Sequence, residues 1–131
     1  RAYNRRAFTR SLRAVFGRAR PPDEGTIEAL WYLLRFGGGL RVVHRTIRYL
    51  HERRRLRDRW VEALVRCEVP LRFVVGMEDP VSGAAMAERY EALIPTPDIV
   101  RLGGIGHFPQ LEAPDAVLAA FEAWVEGGAA G

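Results

Sequence analysis

The pattern of apolar residues changes character at Val69. From this point two short apolar runs, 71–75 and 98–102, alternate with two segments of helical periodicity, 83–93 and 114–125. Such runs are typical of strands in a buried parallel sheet, and the order strand, helix, strand, helix predicts a βαβ unit. We therefore expect an α/β fold with parallel strands and flanking helices. Because two strands rarely make a stable open sheet, we expect further strands from outside this region.

Residues 1–67 have helical periodicity instead, with no alternating segment that would indicate a strand. Asp23 and Glu24 fall in the first turn of one predicted helix, where negative charge suits the helix dipole, and the glycines at 37–39 end that helix. We expect four helices, each with an apolar stripe. The stripes comprise Tyr3, Phe8, Leu12, Val15 and Phe16; Ile27, Leu30, Trp31 and Leu34; Leu40, Val43, Ile47 and Leu50; and Trp60, Val61, Leu64 and Val65.

The composition fits a folded globular chain. Of its 131 residues, 48% are hydrophobic and 27% are charged, which argues against disorder. The net charge is +4, and all 20 basic residues are arginine. No apolar run approaches the ~20 residues needed to span a bilayer, and the N-terminus lacks the apolar segment of a secretion signal. We therefore expect no membrane partner.

Cys67 is the only cysteine. A single cysteine allows no disulfide within the chain, which favours a reducing, cytoplasmic setting, and we expect Cys67 to be a small buried hydrophobe. No carboxylate or thiol cluster joins His44 and His51, so we expect no metal and no cofactor. The first residue is Arg1 rather than Met, and we expect that polypeptide ahead of it has been lost.

Each predicted strand is followed by a loop that carries a residue type used in catalysis. Asp79 follows the first strand and His107 follows the second. Ligands of open parallel sheets bind beyond the carboxyl ends of the strands, where such loops converge. A carboxylate there can accept the Nδ1–H of an imidazole, whose unperturbed pKa of ~6.5 lets it act as a base near neutral pH. Aspartates in turns and histidines in loops are also common without any catalytic role, so the pairing alone is a weak motif.

The second loop is rich in glycine. Gly103, Gly104 and Gly106 permit positive φ and close backbone approach, so the loop can turn sharply and lift His107 over the strand ends. Glu112 follows just before the last predicted helix. We expect Glu112 to order this loop rather than to transfer protons.

Two motifs of this region resemble those of the α/β-hydrolases. Residues 76–81 resemble the G-x-x-D-x-V signature that carries the catalytic acid, and residues 106–114 resemble the G-H-x-x-x-x-E-x-P histidine loop. In this fold the nucleophile comes first in the chain, the acid second and the histidine last, and the two motifs here follow the order of the last two. Residues 49–55 and 59–64 extend the likeness to the mesoderm-specific transcript hydrolases, which are related to haloalkane dehalogenases and epoxide hydrolases.

The resemblance implies the C-terminal part of an α/β-hydrolase fold, preceded by helical cap segments. It assigns the cap to residues 1–50 and the C-terminal part of the core to residues 51–131. It also implies that Asp79 is the catalytic acid and that His107 is the base. An N-terminal half of the fold, in the same or a separate chain, would then be required.

The cap implied by the resemblance contains candidate substrate contacts, Trp31, Tyr32 and Phe36. Aromatic residues at helical spacing more often form plain core, so this assignment competes with a structural one. Gly106 departs from the family, in which another hydrogen-bonding residue often precedes the histidine. That departure affects the expected loop geometry and not the role of His107.

The nucleophile of this family is absent from the chain. Neither G-x-S-x-G nor G-x-D-x-G occurs, and Ser11 and Ser82 are the only serines. We therefore expect the nucleophile, Ser or Asp, on the N-terminal half of the fold. The preferred hypothesis is a hydrolase of an ester, halide or epoxide substrate. The alternative is a catalytically inactive, truncated hydrolase that acts as an interaction module.

A run of arginines at 53–55, continued by Arg57 and Arg59, raises the possibility of a nucleic-acid surface. Glu52 and Asp58 interrupt the run, and no aromatic stacking platform accompanies it. Such a run is usually a solvated helix face, so we expect no nucleic-acid partner.

Overall fold

The computed structural model describes residues 4–128, which form two compact units. The first unit comprises the described residues up to Leu12 together with Asp23–Cys67. The second comprises Arg13–Pro22 together with the described residues from Glu68 onward. Each unit is therefore built from two stretches that are separate in sequence, and the later boundary falls where the apolar pattern changes.

Residues 4–67 form helices, as the periodicity predicted. These elements are α1 (Arg5–Val15), α2 (Glu24–Arg35), a 3₁₀ segment (Phe36–Arg41), α3 (Val43–Thr46), α4 (Tyr49–Arg55) and α5 (Arg57–Val65). Asp23 was expected in the first turn of α2 but is its N-cap residue, because its Oδ1 accepts the Thr26 N–H at 2.6 Å. This hydrogen bond lowers the pKa of Asp23. Ile27 is fully buried. Tyr3, predicted for the first stripe, lies outside the described residues.

The predicted stripe from Leu40 to Leu50 is not one helix. Gly37 and Gly38 take φ values of 58° and 80°, which residues with a Cβ rarely adopt, and the chain continues from there in short helical pieces. Leu40, Ile47 and Leu50 are exposed. The prediction of one helical stripe was therefore wrong, because turns at Val42 and at residues 47–48 divide the segment into separate short helices.

Some side chains after Leu50 are also more exposed than the sequence predicted. Trp60 and Leu64 of the predicted α5 stripe are exposed. Cys67, predicted to be a small buried hydrophobe, is exposed as well. The prediction for Cys67 was wrong because the residue lies beyond the end of α5, before the chain reaches the strand.

The second unit contains a parallel sheet, of two strands within the described residues. β1 (Phe73–Gly76) pairs with β2 (Ile99–Leu102), and the register aligns their carboxyl ends, with Gly76 opposite Leu102. α6 (Gly83–Leu93) connects the strands and begins and ends as predicted. The arrangement of helices around a small parallel sheet is consistent with the α/β class.

Two helices follow β2. α7 (Pro109–Glu112) was not expected, because four residues are too few to show a helical period. α8 (Pro114–Gly128) begins at the predicted proline and extends three residues past Val125. Between residues 4 and 128, no helix has both the length and the apolar character needed to cross a bilayer.

The core of the second unit is small. Its buried side chains include Val75 of β1, Ala87 of α6 and Ala120 of α8. The predicted apolar face of α8, with Phe121 and Trp124, lines an open groove of about 310 Å³ next to β1. Apolar surface of this kind gains free energy when it is covered, so the unit has area available for further packing.

Candidate active site

The loops that follow the two strands lie side by side. We call residues 77–82 the acid loop and residues 103–108 the histidine loop. The aligned strand ends deliver both loops to the same edge of the sheet. Beyond the strands, the Glu78 N–H donates to the carbonyl oxygen of Ile105 at 2.8 Å. The loops whose convergence was expected from strand order are therefore in contact.

Asp79 and His107 form a hydrogen-bonded pair. Nδ1 of His107 lies 2.9 Å from Oδ2 of Asp79. The side chain of Asp79 is 5% exposed, whereas that of His107 is 36% exposed. Because an ionised carboxylate only accepts hydrogen bonds, Nδ1 carries the proton in this contact. Nε2 is then left with a lone pair that can take up a proton.

Asp79 accepts two further hydrogen bonds. Oδ1 accepts the Val81 N–H at 2.8 Å, and Oδ2 accepts the Ser82 hydroxyl at 2.5 Å. Burial raises the pKa of Asp79, but the hydrogen bonds from Ser82, His107 and Val81 outweigh it and lower the pKa to about 2. Asp79 is therefore ionised at neutral pH, as the contact with Nδ1–H requires.

Sequence reasoning considered Ser82 only as a nucleophile and missed this contact. Ser82 lies three residues after Asp79, immediately before α6. The sequence does indicate this contact, because a serine a few residues after an aspartate in a turn is well placed to donate a hydrogen bond to the carboxylate. The Ser82 hydroxyl is thereby engaged by the carboxylate.

Glu112 holds the histidine loop through backbone contacts. Its side chain is buried, and Oε2 accepts the N–H groups of Gly17 at 2.8 Å and Gly106 at 2.7 Å. Oε1 accepts the Phe108 N–H at 3.0 Å. Three donors on one carboxylate fix the loop on both sides of the histidine, so the structure agrees with the expected ordering role of Glu112.

The segment Arg13–Pro22 also supports the histidine loop. The carbonyl oxygen of Val15 accepts the His107 N–H at 2.8 Å. Phe16 packs against Phe108 with ring centroids 5.4 Å apart, and Phe108 in turn meets the imidazole edge-on at 4.9 Å. Sequence reasoning treated Val15 and Phe16 only as part of a helical stripe, and it therefore missed their position next to the histidine.

Close backbone approach requires glycine at Gly17 and at Gly106. A Cβ on Gly106 would lie 2.4 Å from both Gly17 N and Val15 O, and a Cβ on Gly17 would lie 2.2 Å from Gly104 O. Of the three glycines of the histidine loop, Gly104 has a positive φ, at 73°, whereas Gly103 and Gly106 do not. At Gly106 it is the expected close backbone approach that requires glycine. A side chain at Gly106 would therefore collide with the backbone of residues 15–17.

An open cavity of about 730 Å³ adjoins the acid loop. Its volume falls within the range of small-molecule sites. Glu78 and Pro80, which flank Asp79 in sequence, form part of its wall. The Arg18 N–H donates to Oε2 of Glu78 at 2.8 Å across this region. The other residues that line the cavity are Arg13, Ala14, Phe16, Gly17, Arg18 and Pro21.

The predicted substrate contacts all lie in the first unit. Trp31 and Tyr32 belong to α2, and Phe36 begins the 3₁₀ segment. Trp31 is half-buried against Phe8, with ring centroids 5.4 Å apart, which is a core-like contact. Tyr32 and Phe36 are exposed and their centroids lie 6.0 Å apart. Contact of these three residues with substrate stays a prediction.

In residues 4–128, no group of three or more His, Cys, Asp or Glu side chains could hold a metal ion. His44 and His51 are exposed on α3 and α4.

No family model matches the chain. Among curated proteins, "Putative hydrolase LipZ" of Mycobacterium tuberculosis is 39% identical over 116 residues, which cover 88% of this chain and 40% of that protein. The mesoderm-specific transcript proteins of Mus musculus and Homo sapiens are 32% identical over 120 residues, which cover 90% of this chain and 36% of each protein. The chain thus spans about two fifths of the length of these relatives.

A solved structure shares the fold. The crystal structure of a membrane phospholipase A, described as a bacterial virulence factor, matches 96% of this chain and 39% of its own with a TM-score of 0.65. The identity is 22%, so this likeness shows the fold alone. The comparisons together support a hydrolase-like α/β family. The expected resemblance to the mesoderm-specific transcript proteins is thereby confirmed.

Replacing Glu112 with Gln should lower the free energy of unfolding of the full-length protein by about 1–3 kcal/mol. The amide NH₂ would face a backbone N–H and leave a buried donor unpaired. Urea unfolding measures the change. Glu78→Gln is the matched control, because Glu78 accepts the Arg18 N–H at an exposed position and its loss should cost less. Equal losses in the two variants would contradict the role given to Glu112.

Gly106→Ala should destabilise the protein by about 1–3 kcal/mol, because the added methyl group forces two backbone segments apart. Gly103→Ala serves as the control, since a Cβ there would meet no atom within 4 Å. Thermal unfolding of both variants tests the difference. If Gly106→Ala were as stable as Gly103→Ala, the close approach of Gly17 to the histidine loop would be refuted.

The stabilisation that Asp79 provides should be lost in acid. Its pKa is lowered from 3.8 to about 2, so the ionised side chain stabilises the folded state fully above about pH 4, and this contribution disappears as the pH falls through 2. Urea unfolding across this range measures the loss. Ser82→Ala removes a hydrogen bond that lowers the pKa of Asp79, so the total loss should be smaller and should be complete at a higher pH than in the wild type. Identical curves for Asp79→Asn and the wild type would argue against the assignment.

Proposed function

We propose that this chain supplies the catalytic acid and base of an α/β-type hydrolase. The observation that carries the proposal is the contact between His107 Nδ1 and Asp79 Oδ2 beyond the ends of two parallel strands. A carboxylate on Nδ1 that leaves Nε2 open is the arrangement in which imidazole acts as a general base. Similarity to a mycobacterial protein named as a hydrolase supports the same reaction class.

In this proposal His107 takes a proton at Nε2 from the attacking group. Asp79 keeps the ring in the Nδ1–H tautomer and stabilises the imidazolium cation that forms. The low pKa of Asp79, about 2, keeps it ionised throughout the cycle near neutral pH. Glu112 acts only through the backbone of the histidine loop, where its hydrogen bonds hold Gly106 and Phe108 on either side of the base.

The nucleophile is proposed to lie on an N-terminal half of the fold, in the same or a separate polypeptide. If it is Asp, its carboxylate attacks a carbon atom of a haloalkane and displaces the halide ion, or attacks a carbon atom of an epoxide and breaks the ring C–O bond, whose oxygen then takes up a proton. The product is an alkyl–enzyme ester, and His107 activates the water that cleaves it. If it is Ser, His107 first deprotonates the hydroxyl that attacks an ester. Ser82 is a poor candidate because its hydroxyl already donates to Asp79.

Residues 1–50 are proposed to act as the cap and residues 51–131 as the C-terminal part of the core. This division follows the family resemblance. Tyr32 and Phe36 present exposed rings that are suited to contact an apolar substrate. Trp31 is proposed to contribute from its partly buried position on the same helix.

A second candidate function is that of an interaction module derived from a hydrolase. The observation that favours it is the absence of the G-x-S-x-G and G-x-D-x-G motifs from the sequence. In this case the Asp79–His107 pair would only stabilise the loops. Substitution of Asp79 would then change stability without changing any reaction rate.

Asp79→Asn in the full-length protein should reduce turnover by on the order of 10⁴, because the amide can donate to Nδ1 and favours the wrong tautomer. Turnover is measured on a panel that contains an aryl ester, a haloalkane and an epoxide. The class that is hydrolysed also discriminates a serine from an aspartate nucleophile.

Asp98→Asn provides the matched control for this substitution. Asp98 pairs with Arg72 at 2.8 Å, just before β2 and at the opposite end of the strand from the histidine loop. The same chemical change there should leave turnover close to that of the wild type. Wild-type rates in Asp79→Asn would remove Asp79 from the mechanism, and no turnover of any substrate by the wild-type protein would favour the interaction module.

A further inference from the structure

Positive charge is concentrated in one stretch of the first unit, residues 35–59, which we call the basic segment. It contains nine arginines but only two carboxylates, Glu52 and Asp58, which gives a net charge of +7. The whole chain has a net charge of +4, so all other residues together have a net charge of −3. All nine arginines are exposed. The basic segment is thus a cationic surface on a chain that is otherwise slightly acidic.

The basic segment also exposes large apolar side chains. Phe36 is 69% exposed and Ile47 is 58% exposed. Four more apolar side chains of the segment are exposed: Leu40, Val42, Tyr49 and Leu50. Exposed apolar side chains concentrated in one short stretch of the chain offer area for binding another molecule.

The arginines of the basic segment have few partners. In the part of the chain that the structure describes, their one ion pair joins Arg57 to Asp58 at 3.2 Å, between exposed side chains. The guanidinium group of Arg53 lies 5.9 Å from the ring centroid of Tyr49. An exposed pair of this type contributes little to stability, so the positive charge is not explained by internal pairing.

Two of these arginines line a concave site. Arg45 and Arg48 form part of the wall of an open cavity of about 540 Å³. Guanidinium groups match the geometry of phosphate oxygens and bind them by paired hydrogen bonds. The other residues that line this cavity are Thr46, Tyr49, His51 and Glu52.

We propose that the basic segment binds the surface of an anionic phospholipid bilayer. The arginines bind lipid phosphates, and the exposed apolar side chains enter the boundary between headgroups and acyl chains. Binding of this kind requires no spanning helix. The proposal therefore revises the expectation of no membrane partner, which rested on the missing span. It does not rest on the Asp79–His107 pair, which lies outside the basic segment. Phe36, which is also a proposed substrate contact, is not among the residues that the test below changes.

Two other occupants fit the basic segment less well. A protein domain packed over it would strip water from its arginines, which is unfavourable unless each cation gains a partner. A nucleic acid would neutralise the arginines but would leave aliphatic side chains such as Leu40, Ile47 and Leu50 in water. An anionic lipid surface satisfies the charged and the apolar groups together.

Vesicle flotation of the full-length protein tests the proposal. We expect binding to vesicles that contain phosphatidylglycerol, little binding to phosphatidylcholine alone, and weaker binding at high salt. The double substitution Arg45→Gln with Arg48→Gln should weaken binding by about 30-fold. The matched control, Arg10→Gln with Arg89→Gln, removes the same charge from exposed positions outside the basic segment and should have a much smaller effect.

A second variant separates lipid from nucleic acid. Ile47→Ser with Leu50→Ser leaves the charge unchanged and should weaken vesicle binding. Circular dichroism verifies that each variant keeps the wild-type helix content. Equal binding to both vesicle types, or wild-type binding by the double arginine variant, would overturn the proposal. Tight binding to duplex DNA at the same salt concentration, unaffected by the Ile47 and Leu50 changes, would assign the surface to nucleic acid instead.

Discussion

The buried carboxylate of Glu112 is the contact on which the geometry of the second unit depends. It accepts N–H groups from Gly17 and from both sides of the histidine, at Gly106 and Phe108. Without it, the buried N–H groups of Gly17 and Gly106 and the partly buried N–H of Phe108 would lose their partner. The three bonds therefore act together to hold two distant stretches of backbone. These bonds fix the main chain of His107, and the fixed main chain places the imidazole next to Asp79. The Asp79–His107 pair therefore depends on these backbone hydrogen bonds.

The parts of the fold that were predictable follow from local pattern and from topology. The bounds of α6 could be predicted because Gly83 and Pro95 flank a stretch in which apolar residues recur at helical spacing. The proximity of Asp79 and His107 could be predicted because parallel strands end at the same edge of a sheet. Neither inference required knowledge of which distant side chains meet.

The rest of the site could not be predicted because it depends on contacts between segments far apart in sequence. Val15 and Gly17 follow a helical stripe, and nothing in that stripe indicates that their backbone meets the histidine loop. The predictions that Leu40 and Cys67 are buried failed for a different reason. Periodicity and residue type predict burial only when another surface covers the side chain, and within residues 4–128 both of these side chains stay exposed.

The bond between Gly17 and Glu112 closes a loop of 95 residues. Closing so long a loop costs conformational entropy that local helix formation does not, so contacts of this separation are completed late in folding. The short-range β1–α6–β2 unit can form earlier and carry both loops without fixing them. Partly folded forms of the protein would therefore contain the acid and the histidine in unaligned loops, and the aligned pair would report that folding of this unit is complete.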